Sequence, residues 1–230
     1  VTVPKLSGSL IRDVNGAVPP VRTLARPLFR VLAVACWIPL ALLLVIALLG
    51  LRHDAKQLGD LLMWAPLVVS ALLGVALVAL ALSEVIPGRG ASRSMSRLLL
   101  ALGAVALFTQ AWLTKLASPG IGMEPGMAMG SKCMAAEVMF GISALAVILF
   151  LIRRAAPLRM AWAGVIAGTA AGLLAEGIYR LHCAATGLSH VLIWHAGGIV
   201  VLAVLGYAAG RAWERREGLR MLARMDQRQP

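Results

Sequence analysis

Acidic side chains are scarce in this 230-residue sequence: 10 Asp and Glu stand against 22 Lys and Arg, and charged residues of both signs make up only 14% of the chain. So little charge, beside 60% hydrophobic residues and a mean hydropathy of +0.85, excludes an ordinary soluble globular domain. Cysteine is nearly absent as well. With 3 residues and no C-x-x-C or H-x-x-x-H spacing, disulfide-rich scaffolds and the common structural zinc modules are removed. Nor is there a nucleophile beside a base, a phosphate-cradling loop or an open three-ligand zinc pattern, so an enzyme is not expected.

What the chain has in abundance is long apolar runs. Windows able to cross about 30 Å of hydrocarbon fall at 31–51, 61–82, 98–114, 134–152, 161–179 and 191–210. The expected fold is all-α: a polytopic membrane protein with six transmembrane helices. Gln110, Glu137, Glu176 and His195 are nearly all the polar groups inside these runs, too few to line a transport path. His195 and its neighbour Trp194 are expected to be packing residues, as is Cys36, a small apolar side chain buried in the first helix.

Orientation follows from where Lys and Arg stand between the runs. The first 30 residues, the second and fourth loops and the segment after 210 hold 17 of them; the first, third and fifth loops hold five, Arg52, Lys56, Lys115, Lys132 and Arg180. Both termini are therefore expected on the cytoplasmic side. The +12 net charge is mostly this asymmetry and attraction to anionic lipid, not a sign of direct nucleic-acid binding.

The chain divides into a cytoplasmic N-terminal segment (1–30), the six-helix membrane domain (31–210) and a basic cytoplasmic tail (211–230). The N-terminal segment has no apolar core of its own, so no cleaved leader is expected there. Within it Leu6, Leu10, Ile11 and Val14 fall at helical spacing with Arg12 and Asp13 opposite. Such a stripe fits a helix lying on the bilayer or a docking segment covered by a cytoplasmic partner. The tail, with Trp213, Leu219 and Leu222 among arginines, is expected to be an interfacial basic helix.

Chemistry concentrates in residues 179–195 (YRLHCAATGLSHVLIWH), which carry Cys183, His182, His190, His195 and Arg180. Thiolates and imidazoles bind transition metals or respond to oxidants, although either His182 or His190 alone also suits a polar interfacial loop. The third loop, 117–132, is rich in Pro and Gly and places Met123, Met127, Met129 and Met134 around Cys133. Thioethers beside a thiolate suit a soft ion, and methionines also simply pack on helix ends. Cys133 and Cys183 lie at the same expected outer, oxidising face, which points to a pair. Glu137 follows one turn after Cys133, and Glu176 and Arg180 precede Cys183 at steps of four and three, placing a carboxylate below each thiol. Gly164, Gly168 and Gly172 make a small-residue stripe that admits close approach of a neighbouring helix.

The run 153–183 (RRAAPLRMAWAGVIAGTAAGLLAEGIYRLHC), the lone cysteine at the start of the preceding helix and the N-terminal pattern LIRDVNGAVPPVRTLARPLFR resemble the NrsF (negative regulator of sigma F) family, six-helix inner-membrane anti-sigma factors. The resemblance implies that the cytoplasmic side, chiefly Leu6, Leu10, Ile11, Asp13 and Val14, holds an extracytoplasmic-function sigma factor. It also implies that Cys133 and Cys183 sense heavy-metal or oxidative stress in the periplasm, supported by Glu137, Glu176 and Arg180. No cofactor is required on this reading; a transition-metal ion enters only as signal, with His182, His190, Met129 and Met134 as further ligands. One departure is Ala184, where the family commonly has proline after the His-Cys pair. The competing expectations are a small metal-handling membrane protein using the same ligands and a scaffold without chemistry.

Overall fold

The computed structural model describes residues 27–84, 93–117, 127–154, 159–185 and 187–226, and the fold is all-helical, with no strand among them. The helices are α1 (Pro27–Ala35), α2 (Trp37–Leu49), α3 (Ala55–Glu84), α4 (Arg93–Ala117), α5 (Met127–Arg153), α6 (Met160–Tyr179), α7 (Leu188–His190) and α8 (Ala196–Asp226). A π-helical turn, Val191–His195, joins α7 to α8. They make six helices long and apolar enough to cross a membrane: α1 with α2, then α3, α4, α5, α6, and α7 through α8. Leu43, Leu48, Leu72, Phe108 and Val204 face outward, so large apolar side chains stand on the exterior of the bundle, an arrangement that suits contact with lipid.

Several boundaries differ from expectation, among them three that bear on the cysteines and the first span. Helix α5 begins at Met127, so Met127, Met129 and Lys132 belong to a helix rather than to the third loop. Apart from Gly130 the breakers precede them, and the Met, Ala and Lys of MAMGSKCM are good helix formers. Helix α1 begins at Pro27, whose fixed φ suits a first helical position. Cys36 sits at the turn between α1 and α2 and is exposed on the bundle's outer face, not buried. A thiol is apolar enough to stand either in a protein core or on an apolar exterior, so hydrophobicity could not tell the two situations apart.

Helix α6 is the centre of the molecule. Nearly every residue from Ala163 to Tyr179 is buried, and its most extensive interfaces are with α8 and then α3. The glycine stripe is the reason. A Cβ built on Gly164 would lie 2.1 Å from Gly206 O, and one on Gly168 would lie 2.1 Å from Leu202 O. On the other side Gly206 and Gly210 would meet Gly164 O at 2.0 Å and Met160 O at 2.3 Å. Backbones this close leave no room for a side chain, and contact between helices in lipid rests on such packing.

Polar links tie the two ends of the bundle. At one end Arg30 Nη2 donates to Leu151 O at 2.8 Å and the Ala161 amide to Glu214 Oε1 at 2.9 Å. At the other, the Arg52 amide donates to Leu181 O at 2.8 Å, and His182 Nδ1 donates to Gly50 O at 3.1 Å. Arg52 also grips Asp54 through two hydrogen bonds, 2.5 and 2.7 Å. This second end brings together the α2–α3 link, the start of α5, the turn after α6 and the start of α7.

Candidate functional site: a buried thiol and imidazole cluster

Cys133 projects from the second turn of α5, and Cys183 follows a short turn closed by His182 N→Tyr179 O and Cys183 N→Tyr179 O bonds of 2.9 and 3.0 Å. Their sulfurs are 3.9 Å apart although 50 residues separate them in sequence. Both are free thiols, 8% and 5% exposed. His190, 3% exposed, places Nε2 3.5 Å from the Cys183 sulfur. One ligand atom from each of Cys133, Cys183 and His190 lies within 4.8 Å of the other two. Tyr179 packs against the thiols from α6. A cavity of about 380 Å³ opens beside the sulfurs, lined also by His53, Met129, Lys132, Tyr179 and His182.

Behind this cluster each buried ionisable side chain has at least one polar partner, which offsets part of the cost of burial. His195 Nδ1 and Glu137 Oε2 share a 2.8 Å hydrogen bond, and both side chains are wholly buried. Glu176 accepts from Ser70 Oγ at 2.8 Å and faces Arg180 Nε at 3.2 Å. The His190 and His195 rings stand edge to face, 5.3 Å between centroids. The π-turn makes this possible. At 3.6 residues per turn, positions five apart point about 140° from each other, whereas i→i+5 winding returns them to one side. Outside the spans, Arg52 holds the Asp54 carboxyl below its usual range, chiefly by hydrogen bonding.

A family model described as NrsF, negative regulator of sigma F, matches residues 15–215. The chain belongs to the NrsF family. A curated relative, the anti-sigma-F factor NrsF of Caulobacter vibrioides (strain NA1000 / CB15N), is 30% identical over 177 residues, which span 74% of this chain and 81% of the relative. No solved structure matches.

Within this NrsF-family fold the residues singled out by sequence separate into groups. Cys133, Cys183 and His190 converge. His182 is half-buried on the cavity wall with Nδ1 committed to Gly50 O, so it lies beside the cluster rather than in it. Met129 also lines the cavity, while Met134 points toward Gly197 on α8. The hydrogen-bonding partners of the carboxylates come from elsewhere in the bundle: Glu137 is engaged by His195, and Glu176 by Ser70, beside its ion pair with Arg180. Spacing along single helices gave their faces correctly but not the partners across the bundle. His195, expected only to pack, is the residue that sequence reasoning missed. A histidine wholly within an apolar run, with a lone glutamate in another run, was the available signal. Leu6, Leu10, Ile11, Asp13 and Val14 lie outside the described residues.

Proposed function

We propose that the chain is a membrane-bound anti-sigma factor. It holds an extracytoplasmic-function sigma factor inactive at the cytoplasmic face of a bacterial inner membrane and releases it when Cys133 and Cys183 meet an oxidant or a soft metal ion in the periplasm. Family membership and the name of the Caulobacter relative support the anti-sigma role. The observation that carries the sensing role is the 3.9 Å approach of two free, nearly buried sulfurs from different spans. Arginine placement supports the sidedness: the end with the thiols is the end poor in Lys and Arg.

In the resting state both sulfurs are thiols, and the N-terminal segment, with Leu6, Leu10, Ile11, Asp13 and Val14, covers the sigma factor. One thiol gives up its proton and the thiolate attacks hydrogen peroxide, leaving a sulfenic acid and a hydroxide that takes up that proton as water. The second thiol then displaces that oxygen as a second water and forms the disulfide, so two thiols lose two electrons and two protons in total. Reaching bonding distance, about 2.05 Å between sulfurs, draws the start of α5 and the turn after α6 together. Moving the sigma factor from 99% bound to 99% free requires the signal to favour one packing by about 5.5 kcal/mol.

The test is expression from a sigma-dependent promoter in cells carrying Cys133→Ser/Cys183→Ser, with the sigma factor pulled down from detergent extracts. Retention of the partner and loss of induction are expected. Full induction in the double variant would remove the thiols from the mechanism, and an extract without a sigma factor would remove the regulator. The cluster of Cys133, Cys183 and His190 also favours a second reading, a small metal-handling membrane protein. That reading predicts metal bound in stoichiometric amount and no cytoplasmic protein partner.

A further inference from the structure

We infer that His190 completes a three-ligand site with Cys133 and Cys183 for a soft divalent cation of zinc's size and charge. The inference rests on the thiols being the sensor and specifies which other residue acts with them. Three observations carry it. The first is geometric. With metal–sulfur bonds near 2.3 Å and metal–nitrogen bonds near 2.0–2.1 Å, a tetrahedral site has edges of about 3.8 Å between sulfurs and about 3.6 Å between sulfur and nitrogen. The corresponding separations are 3.9 and 3.5 Å. Two of the three edges therefore already match such a tetrahedron, and the third, from the Cys133 sulfur to His190, lies within 4.8 Å, a gap that side-chain rotation can close.

The second is what surrounds His190. It is 3% exposed, and the Cys183 sulfur is the one hydrogen-bond partner of its ring; Nδ1 has none among the described residues. The ring nitrogen that faces the cluster, Nε2, meets only a sulfur there, a weak hydrogen-bonding group, and so is free to serve as a ligand atom. His182 differs, because its Nδ1 is committed to Gly50 O. The third is charge. Two thiolates, formed as their protons pass to water, and one neutral imidazole carry a charge of −2, which a divalent cation cancels. A neutral complex suits a site buried this deeply, whereas a monovalent ion would leave a net charge there. The cavity beside both sulfurs supplies the entry path and leaves the fourth coordination position open to water.

The consequence for regulation lies in what the ligands belong to. Cys133 is on α5, Cys183 follows α6, and His190 ends α7, directly before the π-turn that leads into α8. One ion thus joins three spans, whereas a disulfide joins only two. His195, edge to face with the His190 ring and bonded to Glu137, holds the imidazole in place from behind.

The experiment is a Co²⁺ titration of the full-length, reduced, metal-free chain in detergent, followed by displacement with Zn²⁺. Wild type should bind one ion with the intense visible bands of tetrahedral cobalt and thiolate-to-cobalt charge transfer. His190→Asn should weaken binding by at least roughly 100-fold, since losing a direct ligand costs no less than losing an outer-shell partner. His182→Asn should leave it unchanged. His190→Cys, which restores a ligand, should bind tightly with added charge-transfer intensity and so separates loss of a ligand from loss of folding. Wild-type affinity in His190→Asn, or an octahedral spectrum without sulfur bands, would overturn the site. Either result leaves the thiol-sensor reading standing, since that depends on the Cys133→Ser/Cys183→Ser response.

Discussion

Replacing Gly164 by alanine adds one methyl group at the tightest point of the α6–α8 crossing. That carbon would sit 2.1 Å from Gly206 O, while a carbon–oxygen contact normally settles at about 3.3 Å or more. The helices must therefore separate locally by about 1.2 Å. A gap of 0.5–1 Å already forfeits a quarter to a half of each contact's 0.1–0.2 kcal/mol. Over a few tens of atom pairs the loss is roughly 2–3 kcal/mol. Against it stands the helix propensity of alanine over glycine, about 1 kcal/mol, so a net destabilisation of about 1–2 kcal/mol is expected. Gly218, on the same α8, is the matched control, because a Cβ there meets nothing within 4 Å. Gly218→Ala should be neutral or stabilising by up to about 1 kcal/mol. Reversible unfolding in mixed micelles, followed by tryptophan fluorescence, measures both variants. If Gly164→Ala proved as stable as Gly218→Ala, the close crossing of α6 and α8 would be wrong.

Two further outcomes follow from the buried polar groups. Glu137→Ala strands His195 without its 2.8 Å partner and should cost about 1–3 kcal/mol; adding His195→Ala should recover part of that loss, and a double-mutant cycle in the same unfolding assay would expose an uncoupled pair by simple additivity. Asp54, held below its ordinary range by Arg52, contributes stability that is fully present above its unfolded value near 3.9 and lost as pH falls through the lower folded value. Thermal unfolding of wild type between pH 5 and 3 should show this decline, with a shallower slope in Asp54→Asn; parallel curves would remove Asp54 from the acid response.

The all-helical class, the number of long apolar helices and the pairing of Cys133 with Cys183 were legible from the residues in order. A shortage of charge over runs of about 20 residues has few other solutions than membrane-crossing helices, and the spacing of Gly164, Gly168 and Gly172 on one helix face is a local property. Helix starts were less legible, as Met127 and Pro27 show, because several residue types tolerate both loop and first turn. What only the tertiary structure decided were the pairings: Glu137 with His195, Glu176 with Ser70, and His190 rather than His182 beside Cys183. The physical reason is that a sequence specifies which face of a helix a side chain occupies, whereas its neighbour depends on how helices distant along the chain rotate against each other. In the case of His190 and His195 it also depends on a single π-turn, which changes the helical phase itself.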